Sequence, residues 1–380
     1  MSDVLIVGGG IMGLWAAIMA DRAGLKTRLV ERDVLGAGAS GGVLGALMPY
    51  MPDRWDEKKQ FQFDALVSLE AEIASLEAET GLPAGYRRCG RLMPLAKPHL
   101  REIALRHEKD ALVNWRSGAS QFHWHVREKL PDEDWLAPAA AASGIVHDTL
   151  AARVSPRRLI ALLAARLRQS SNVRIEQGRV LIGLDPATGR AEFADGRSET
   201  FDQCVLANGV QAFRLIDRFV TTPVASGTGV KGQAALLRLD AIDPALPIIF
   251  TDGVYVVPHE NGLVAIGSTS ENTFDKPFTT DEQLDMLLAR AADLAPLVRK
   301  AQIVERWAGI RPKAAGRDPM VGRHPRHGNL HILAGGFKTT FGIAHRLAAA
   351  VIGEMGGKVD QALPDSFRCQ SHVAQLETPV

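Results

Sequence analysis

The sequence predicts an α/β protein in which a parallel sheet with flanking helices is interrupted by an antiparallel insertion. Two observations support this fold class. Residues 3–32 follow a strand, glycine turn, helix and strand pattern. Residues 230–268 instead alternate apolar and polar side chains around two hairpin signals, Asp252-Gly253 and Asn261-Gly262. Because segments of the first kind return in the middle and at the end of the chain, we expect the parallel domain to be discontinuous in sequence.

The opening segment carries a dinucleotide-binding pattern. An apolar strand at residues 4–7 leads directly into Gly8, Gly10 and Gly13, spaced as G-x-G-x-x-G, and a helix is predicted to follow. The first glycine permits a tight turn, the second a close approach of a pyrophosphate, and the third close packing of helix on strand. Glu31 ends the second strand, where a carboxylate can accept hydrogen bonds from ribose hydroxyls. An ordinary glycine-rich turn would leave Glu31 unexplained, so we predict a dinucleotide site.

Composition excludes several function classes. The chain has 380 residues, of which 46% are hydrophobic, and a formal net charge of +1. It is long enough for two domains, and its charge does not favour nucleic acid or an anionic membrane as partner. The three cysteines form no C-x-x-C pair, and the apolar runs are too short to span a bilayer. We therefore predict a cytoplasmic protein with no metal site and no integral membrane segment.

The remaining elements follow in order along the chain. A helix is predicted to open at Ser155-Pro156, and a capping box of Thr280 and Gln283 should begin another that runs to residue 294. Other helices are predicted at residues 60–79, 98–115 and 341–355, and strands at residues 173–176, 180–184, 190–194, 204–207, 302–310 and 330–334. Pro312 is expected to end the strand before it, and the chain after residue 360 to be loosely held.

This order divides the chain between two domains. Strand and helix units of the nucleotide-binding kind occur at the start, in the middle and at the end. We assign to the nucleotide-binding domain residues 1–85, 151–222 and 311–370, to the substrate-binding domain residues 86–150 and 223–310, and to a tail residues 371–380.

The motifs together resemble a known family. Gly8, Gly10 and Gly13 with Glu31-Arg32 and Gly38-Ala39-Ser40 are similar to the flavin-binding entry of the D-amino-acid oxidase superfamily. Later motifs extend the resemblance over essentially the whole chain: Val-Leu-Ala-Asn-Gly209, Val-Lys-Gly-Gln233, Val-Tyr-Val-Val-Pro258, Glu-Arg-Trp-Ala-Gly-Ile-Arg-Pro312 and Ala-Gly-Gly-Phe337. The glycine oxidase and sarcosine oxidase branch is the most similar.

The resemblance implies a Rossmann-like domain of the glutathione-reductase type that binds FAD without a covalent bond. Ile11 and Met12 would then lie at the pyrophosphate, Glu31 at the adenosine ribose, and the backbone of Val180 at the adenine. The full set of implied cofactor-binding residues is Gly8, Gly10, Ile11, Met12, Gly13, Glu31, Arg32, Ala39, Ser40, Leu44, Gly45, Ala46, Val180, Gly209, Gly336, Phe337, Lys338, Thr339, Thr340 and Gly342.

The same resemblance assigns a substrate side. Tyr255 and Arg311 match positions that hold the substrate carboxylate in the glycine oxidase branch, and Lys338 stands where that branch has an arginine. Lysine keeps the charge but loses the planar fork. Lys338 and the N-terminus of the last long helix would favour negative charge on reduced flavin. The alternatives are a structural arginine, a core tyrosine and a surface lysine. His259 is a second departure, because an arginine follows the proline in the family.

The implied reaction is oxidation of the C–N bond of a small amine or amino acid such as glycine, sarcosine or a D-amino acid. We expect hydride transfer from Cα to flavin N5, hydrolysis of the resulting imine, and reoxidation by O2 to H2O2. Orientation of the donor carbon carries most of this chemistry, and no general base is obligatory. Two alternatives stay open: a dehydrogenase of an amino or 2-hydroxy acid that passes electrons to a quinone or carrier protein, and a flavoprotein partner in the maturation of another enzyme. The sequence leaves homo-oligomer formation open.

Overall fold

The computed structural model describes residues 2–128, 134–221, 224–240, 242–356 and 363–378. Its helices vary from two turns to nearly seven. They are α1 (Ile11–Arg22), α2 (Glu57–Thr80), α3 (Pro98–Asn114), α4 (Pro156–Arg168), α5 (Val210–Ile216), α6 (Glu282–Leu294), α7 (Thr340–Met355) and α8 (Cys369–Glu377). No helix of these residues is both long and apolar enough to cross a lipid bilayer.

The strands form two large sheets and two short pairs. In chain order they are β1 (Ser2–Val7), β2 (Thr27–Val30), β3 (Ala46–Leu47), β4 (Arg91–Pro94), β5 (Arg116–Ser117), β6 (Ser120–Gln121), β7 (Trp124–Arg127), β8 (Ile145–Asp148), β9 (Ala152–Arg153), β10 (Val173–Glu176), β11 (Leu181–Asp185), β12 (Arg190–Phe193), β13 (Ser198–Leu206), β14 (Gly227–Arg238), β15 (Ile248–Thr251), β16 (Val254–His259), β17 (Leu263–Gly267), β18 (Gln302–Ala314), β19 (Met320–His324) and β20 (His327–Ala334).

The first sheet is parallel at its centre, as the opening motif predicts. Its central order is β10-β2-β1-β13, with β20 on the other side of β13. These five strands are parallel, whereas β19 and the β11–β12 hairpin pair antiparallel at its margins. The glycine turn follows β1 and Glu31 follows β2, so both lie at the carboxyl edge of the sheet, where ligands bind in such folds.

The second sheet is largely antiparallel and is built from the two insertions. Its order is β18-β14-β17-β16-β15-β4-β8-β7, and only β15 and β4 are parallel. On one face, buried residues of α6 pack against Val256 and Ile266. The opposite face contacts Leu44, Ala46 and Met48, which come from the first domain. The candidate site therefore lies where this second face meets the carboxyl edge of the first sheet.

Two hydrophobic cores cover the faces of the first sheet. On one face, α1 packs closely with α7 and α4, and Leu14 and Trp15 of α1 are fully buried. On the other face, α5 and α8 contribute Phe213 and Val373 to a core with Cys204 of β13. Such burial removes apolar surface from water and fixes the turn that begins α1.

Three expectations about local structure are wrong. Residues 369–377 form α8, whose Val373 and Leu376 are buried, so the end of the chain is anchored by apolar packing. Asp281, not Thr280, caps α6 by accepting from the Gln283 N–H. The strand that was expected to stop before Pro312 continues to residue 314, and Pro312 pairs with Gly229. A proline is tolerated there because β18 is an edge strand. The proposed boundary at residues 310/311 falls inside this strand.

Gly13→Ala should destabilise the protein. A Cβ at Gly13 would lie 1.9 Å from the carbonyl oxygen of Gly8, so the turn or α1 must move. We expect a loss of roughly 1–3 kcal/mol in the free energy of unfolding, measured by urea denaturation. Gly328→Ala is the matched control, because no atom lies within 4 Å of a Cβ at that exposed position. Equal unfolding midpoints for the two variants would contradict the steric role of Gly13.

Candidate active site

The glycine turn brings bare backbone to the start of α1. Gly8 has a φ of 110°, and a Cβ there would lie 2.6 Å from the carbonyl oxygen of Ala207. Gly10 is the N-cap of α1 and contributes no side-chain cap. The first N–H groups of the helix therefore face the carboxyl edge of the sheet, which favours an anion such as a phosphate. Gly209 follows β13, the strand beside β1, and has a φ of 63°.

Glu31 is part of the same turn. Its carboxylate accepts hydrogen bonds from the backbone N–H groups of Gly9, at 2.7 Å, and Asp33, at 2.9 Å. Arg32 points to a different partner and pairs with Asp33. The chain near Val180 lies alongside, because the Arg179 N–H donates to the carbonyl oxygen of Glu31. The structure thus brings Glu31, Arg32 and Val180 together at the mouth of the glycine turn.

The small-residue loop packs over the start of α1. Residues Ala39–Gly41 form a 3-10 turn, and the Ile11 N–H donates to the Ser40 hydroxyl at 3.0 Å. Gly45 has a φ of 65°, and a Cβ there would lie only 1.8 Å from the carbonyl oxygen of Val154. Ala46 continues into β3 and pairs with Arg153. The loop therefore leads from the glycine turn to the β3–β9 pair, where Leu44 and Ala46 pack against the second sheet.

His259 fixes this loop against the second sheet. Its Nε2 donates to the carbonyl oxygen of Leu44 at 3.1 Å, so the other ring nitrogen carries no proton in the neutral ring. Burial lowers the pKa of His259 to about 4, and the charge of Arg153 acts in the same direction. The departure noted in the sequence is thus a neutral histidine that supports the small-residue loop.

The loop before α7 is the third part of the candidate site, after the glycine turn and the small-residue loop. Gly336 lies against Met12, whose methyl carbon would be 3.0 Å from a Cβ at that glycine. Phe337 has a φ of 46°, and its N–H donates to the carbonyl oxygen of Pro312 at 3.1 Å. The Thr339 hydroxyl donates to the carbonyl oxygen of Gly336. This loop therefore contacts both the glycine-turn helix and the end of β18.

The beginning of α7 completes the same loop. The helix starts at Thr340, whose hydroxyl donates to the carbonyl oxygen of Phe337 at 3.2 Å. Gly342 packs against α2, because a Cβ there would lie 2.9 Å from a methyl carbon of Leu66. The N-terminus of α7 and the N-terminus of α1 are thus both directed at the carboxyl edge of the first sheet.

Arg311 points from β18 into this space. Its Nη2 donates to the carbonyl oxygen of Thr269 at 2.9 Å, and its guanidinium lies 5.8 Å from the ring centre of Phe337. The Nη1 atom is buried and has no hydrogen-bond partner in the part of the chain that the structure describes. Desolvation lowers the pKa of Arg311, whereas the nearby charge of Glu271 opposes this shift. A buried guanidinium with an unused donor suits an incoming carboxylate.

Tyr255 lies on the same face of the second sheet. It packs with Leu44, Ala46 and Met48, and its ring centre lies 4.6 Å from that of Phe250. Burial raises the pKa of the Tyr255 phenol, and the positive charges of Arg91 and Arg311 oppose that rise. Tyr255 is therefore a neutral hydroxyl close to both arginines.

Lys338 is exposed beside Arg311. Its Nζ lies 5.7 Å from the ring centre of Phe337, whose ring also lies near the Arg311 guanidinium. Desolvation and the charge of Arg311 lower the pKa of Lys338. Neither cation forms an ion pair within the described ranges of the chain. The site therefore carries positive charge that a carboxylate or an anionic cofactor can balance.

Sequence reasoning missed several residues of the site. The Tyr50 hydroxyl lies near the side chain of Thr339, which brings the loop after β3 close to the loop before α7. Arg91 and Asp148 form a buried pair on the face that carries Tyr255. Thr269 contacts Arg311 directly. Of these residues, only Thr269 had an indirect signal in the sequence. It contacts Gln233, and Lys231 and Gln233 are polar at alternate positions of an otherwise apolar strand.

The geometry fits a long phosphate-containing cofactor. The crowded glycines Gly8, Gly13 and Gly45 allow no side chain, and the N-cap residue of α1, Gly10, has no side chain to cap the helix. A family model described as FAD dependent oxidoreductase (DAO) matches residues 3–350. The chain belongs to the DAO family of FAD-dependent oxidoreductases. It is therefore a flavoenzyme, and FAD is its cofactor.

Similar proteins within the DAO family include glycine oxidases. The glycine oxidase of Geobacillus kaustophilus is 28% identical over 341 residues, which cover 88% of each chain. The bifunctional protein ThiO/ThiG of Trichormus variabilis is 28% identical over 92% of this chain, and the match spans only 52% of that protein's length.

Solved structures confirm the α/β fold with its FAD-binding domain. The structure of the Geobacillus kaustophilus glycine oxidase has a TM-score of 0.81 at 24% identity, and the superposition covers 96% of this chain and 99% of that one. The structure of iminodiacetate oxidase from Chelativorans sp. BNC1 has a TM-score of 0.80 at 20% identity and covers 96% and 98% of the two chains.

His259→Gln should flatten the dependence of stability on pH. The unfolded state binds a proton on His259 below its ordinary pKa of 6.5, whereas the folded state binds it only near pH 4. The contribution of His259 to the free energy of unfolding therefore falls as the pH drops between those values. At pH 5 it is about 2 kcal/mol lower than at neutral pH. Glutamine can still donate to Leu44 but does not titrate. Urea unfolding at pH 7.5 and pH 5.0 measures the slope, with the exposed His99→Gln as control. If the free energy of unfolding depends on pH equally in His259→Gln and His99→Gln, burial does not lower the pKa of His259 as argued.

Proposed function

We propose that this flavoenzyme oxidises the C–N bond of a small amino acid of the glycine, sarcosine or D-amino-acid type. The observation that carries the proposal is the buried Nη1 donor of Arg311, which has no hydrogen-bond partner in the described parts of the chain. Its position between Tyr255, Thr269 and Phe337 matches a site for one carboxylate. Similarity to glycine oxidases at 28% identity supports the same substrate class.

Arg311 would fix the substrate by its carboxylate. The Nη2 atom is already used by Thr269, which holds the plane of the guanidinium and directs Nη1 toward the site. A carboxylate there would relieve the desolvation that lowers the Arg311 pKa. The Tyr255 hydroxyl, neutral at physiological pH, would add a second hydrogen bond. Two fixed contacts on the carboxylate orient the neighbouring carbon, and orientation can contribute ~7 kcal/mol or more to the barrier reduction.

FAD, when bound, would supply a two-electron acceptor for the hydride of the carbon that carries the amine, with O2 as the final oxidant. Residues at the glycine turn and the loop before α7 would hold it: Gly8, Gly10, Ile11, Met12, Gly13, Glu31, Ser40, Gly336 and Thr340. Lys338 and the N-terminal N–H groups of α7 would favour negative charge at the edge of the cofactor that they face. The apolar side chains of Leu44 and Met48, which lie on the same face as Tyr255, would limit water near the reacting carbon.

The positions proposed for the cofactor and the substrate give each domain its own role. We propose that residues 1–85, 151–222 and 311–370 hold the cofactor and that residues 86–150 and 223–310 hold the substrate, with Arg311 of β18 as the exception that reaches the substrate from the first group. We also propose a cytoplasmic location, because three scattered cysteines suit a reducing compartment. All three cysteines are free in the structure.

Glu31→Lys should weaken FAD binding more than it weakens folding. The carboxylate organises the glycine turn through Gly9, and it would also accept from the cofactor ribose. Loss of one charge-assisted hydrogen bond corresponds to on the order of 10–100-fold in affinity. FAD titration of the apoprotein, followed by flavin fluorescence, gives the dissociation constant. Glu102→Lys makes the same charge change on the exposed face of α3 and should leave it unchanged. A folded Glu31 variant with wild-type affinity would remove Glu31 from the cofactor site.

Arg311→Leu tests the proposed substrate class. With glycine or sarcosine under argon, flavin bleaching should show a substrate affinity that is lower by ~2–5 kcal/mol. Arg311→Lys should lose less, because it keeps the charge but not the paired geometry. Oxidation of ethylamine, which has no carboxylate, should be affected much less, and FAD content should stay normal. Arg306→Leu, on an exposed position of the same strand, is the control.

Two outcomes would oppose this proposal. If glycine and ethylamine oxidation fall equally in Arg311→Leu, the arginine is structural. If no amine that carries a carboxylate bleaches the wild-type flavin, the amino-acid substrate is wrong. Release of H2O2 after readmission of air distinguishes an oxidase from a dehydrogenase that needs another acceptor.

A further inference from the structure

A buried polar network lies behind Arg311, on the other side of the second sheet. Lys231, Gln233 and Glu271 are all at least 92% buried. The Lys231 ammonium contacts the carboxylates of Glu271, at 3.2 Å, and Asp281, at 2.9 Å. The Gln233 amide donates to the same two carboxylates, at 3.0 and 2.7 Å. Because buried polar groups are costly when unpaired, such a network has one preferred arrangement.

The network reaches Arg311 through a single residue, Thr269. The Thr269 hydroxyl donates to Glu271 at 2.5 Å and accepts from the Gln233 N–H at 2.9 Å. Its own N–H donates to the carbonyl oxygen of Gln233 at 3.2 Å. The carbonyl oxygen of Thr269 then accepts from Nη2 of Arg311. Every polar group of Thr269 is thus used, which fixes the peptide that holds the guanidinium.

The guanidinium fits closely against the strand beside it. Arg311 lies over Gly232, where a Cβ would be 1.7 Å from Nη2. Gly232 stands between Lys231 and Gln233 in β14, so the two polar residues face α6 while the glycine faces Arg311. One face of β14 therefore gives the guanidinium a flat surface at Gly232. The other face carries Lys231 and Gln233, which belong to the polar network.

The network also holds Glu271, an acid whose charge acts on Arg311. One carboxylate oxygen of Glu271 accepts from Thr269 and Gln233, and the other contacts Lys231. Its charge still raises the pKa of Arg311 and thus helps keep the guanidinium protonated. Since both oxygens are occupied, Glu271 does not compete with an incoming carboxylate for the guanidinium.

We propose that Thr269, held by Gln233 and Glu271, is a positioning residue that sets the affinity of Arg311 for the substrate carboxylate. The inference rests on the proposed function, because it assumes that Arg311 binds that carboxylate. Loss of the Thr269 hydroxyl releases Glu271 on one side and loosens the peptide on the other. Both effects reduce the availability of Arg311, whereas the chemical step after binding is unchanged.

The experiment compares Thr269→Val with Thr269→Ser in the FAD-loaded protein. Acetate is the probe, and its dissociation constant is read from the perturbation of the flavin absorbance without turnover. The valine variant should bind acetate about tenfold more weakly, and the serine variant, which keeps the hydroxyl, should match the wild type. With glycine as substrate, KM should rise in Thr269→Val while kcat stays within about twofold. Thr228→Val, at an exposed position of β14, controls for the loss of a threonine from the sheet.

The outcomes separate this proposal from the proposed function. Equal acetate affinity in the wild type and Thr269→Val overturns the positioning role and leaves the carboxylate role of Arg311 intact. A fall in kcat, FAD content and unfolding midpoint without a selective rise in KM also overturns it, because that pattern indicates a purely structural residue. If the wild type itself does not bind acetate, the carboxylate role of Arg311 fails, and the positioning role fails with it.

Discussion

The contact between the end of β18 and the loop before α7 determines the whole candidate site. The Phe337 N–H donates to the carbonyl oxygen of Pro312, and Lys313 forms a bridge with Gly336. These bonds join the edge strand of the second sheet to a loop that is packed on α1 through Met12. Through this contact, Phe337 and Lys338 lie beside Arg311.

The two halves of the site are supported in different ways. On the cofactor side, the support is steric: glycines are required where backbone approaches backbone, as at Gly8 against Ala207 and Gly45 against Val154. On the substrate side, the support is polar: Arg311 is held by a peptide carbonyl, and behind that peptide one ammonium, one amide and two carboxylates pair with one another. Steric constraint suits a cofactor of fixed shape, whereas a polar network keeps a cation protonated in a partly dry environment.

Charge explains why the buried groups at the site stay in defined protonation states. His259 is kept neutral by burial and by Arg153, so it acts as a donor to the loop at Leu44. Tyr255 stays protonated because burial raises its pKa, while Arg311 keeps its charge with help from Glu271. The second sheet therefore carries a neutral imidazole, a neutral phenol and a charged guanidinium on its strands β16 and β18.

The sequence alone determined the type of fold and the local geometry of the glycine turn. Gly8, Gly10, Gly13 and Glu31 follow each other within one strand–helix–strand unit, so their spacing already defines their geometry. The parallel and antiparallel sheets were likewise predictable from local periodicity. Pro312 and the last residues of the chain misled that reasoning, because an edge position and apolar packing of α8 override local signals.

Only the tertiary structure decided what surrounds Arg311. Thr269, Glu271 and Asp281 come from turns and a helix cap that carry no periodic pattern, and Tyr50 reaches Thr339 across loops far apart in the chain. Their roles depend on hydrogen bonds between distant segments, and such bonds leave no trace in local sequence. The sequence pointed to Arg311. Only the fold determined that the carbonyl oxygen of Thr269 holds the guanidinium and that both carboxylate oxygens of Glu271 have other partners.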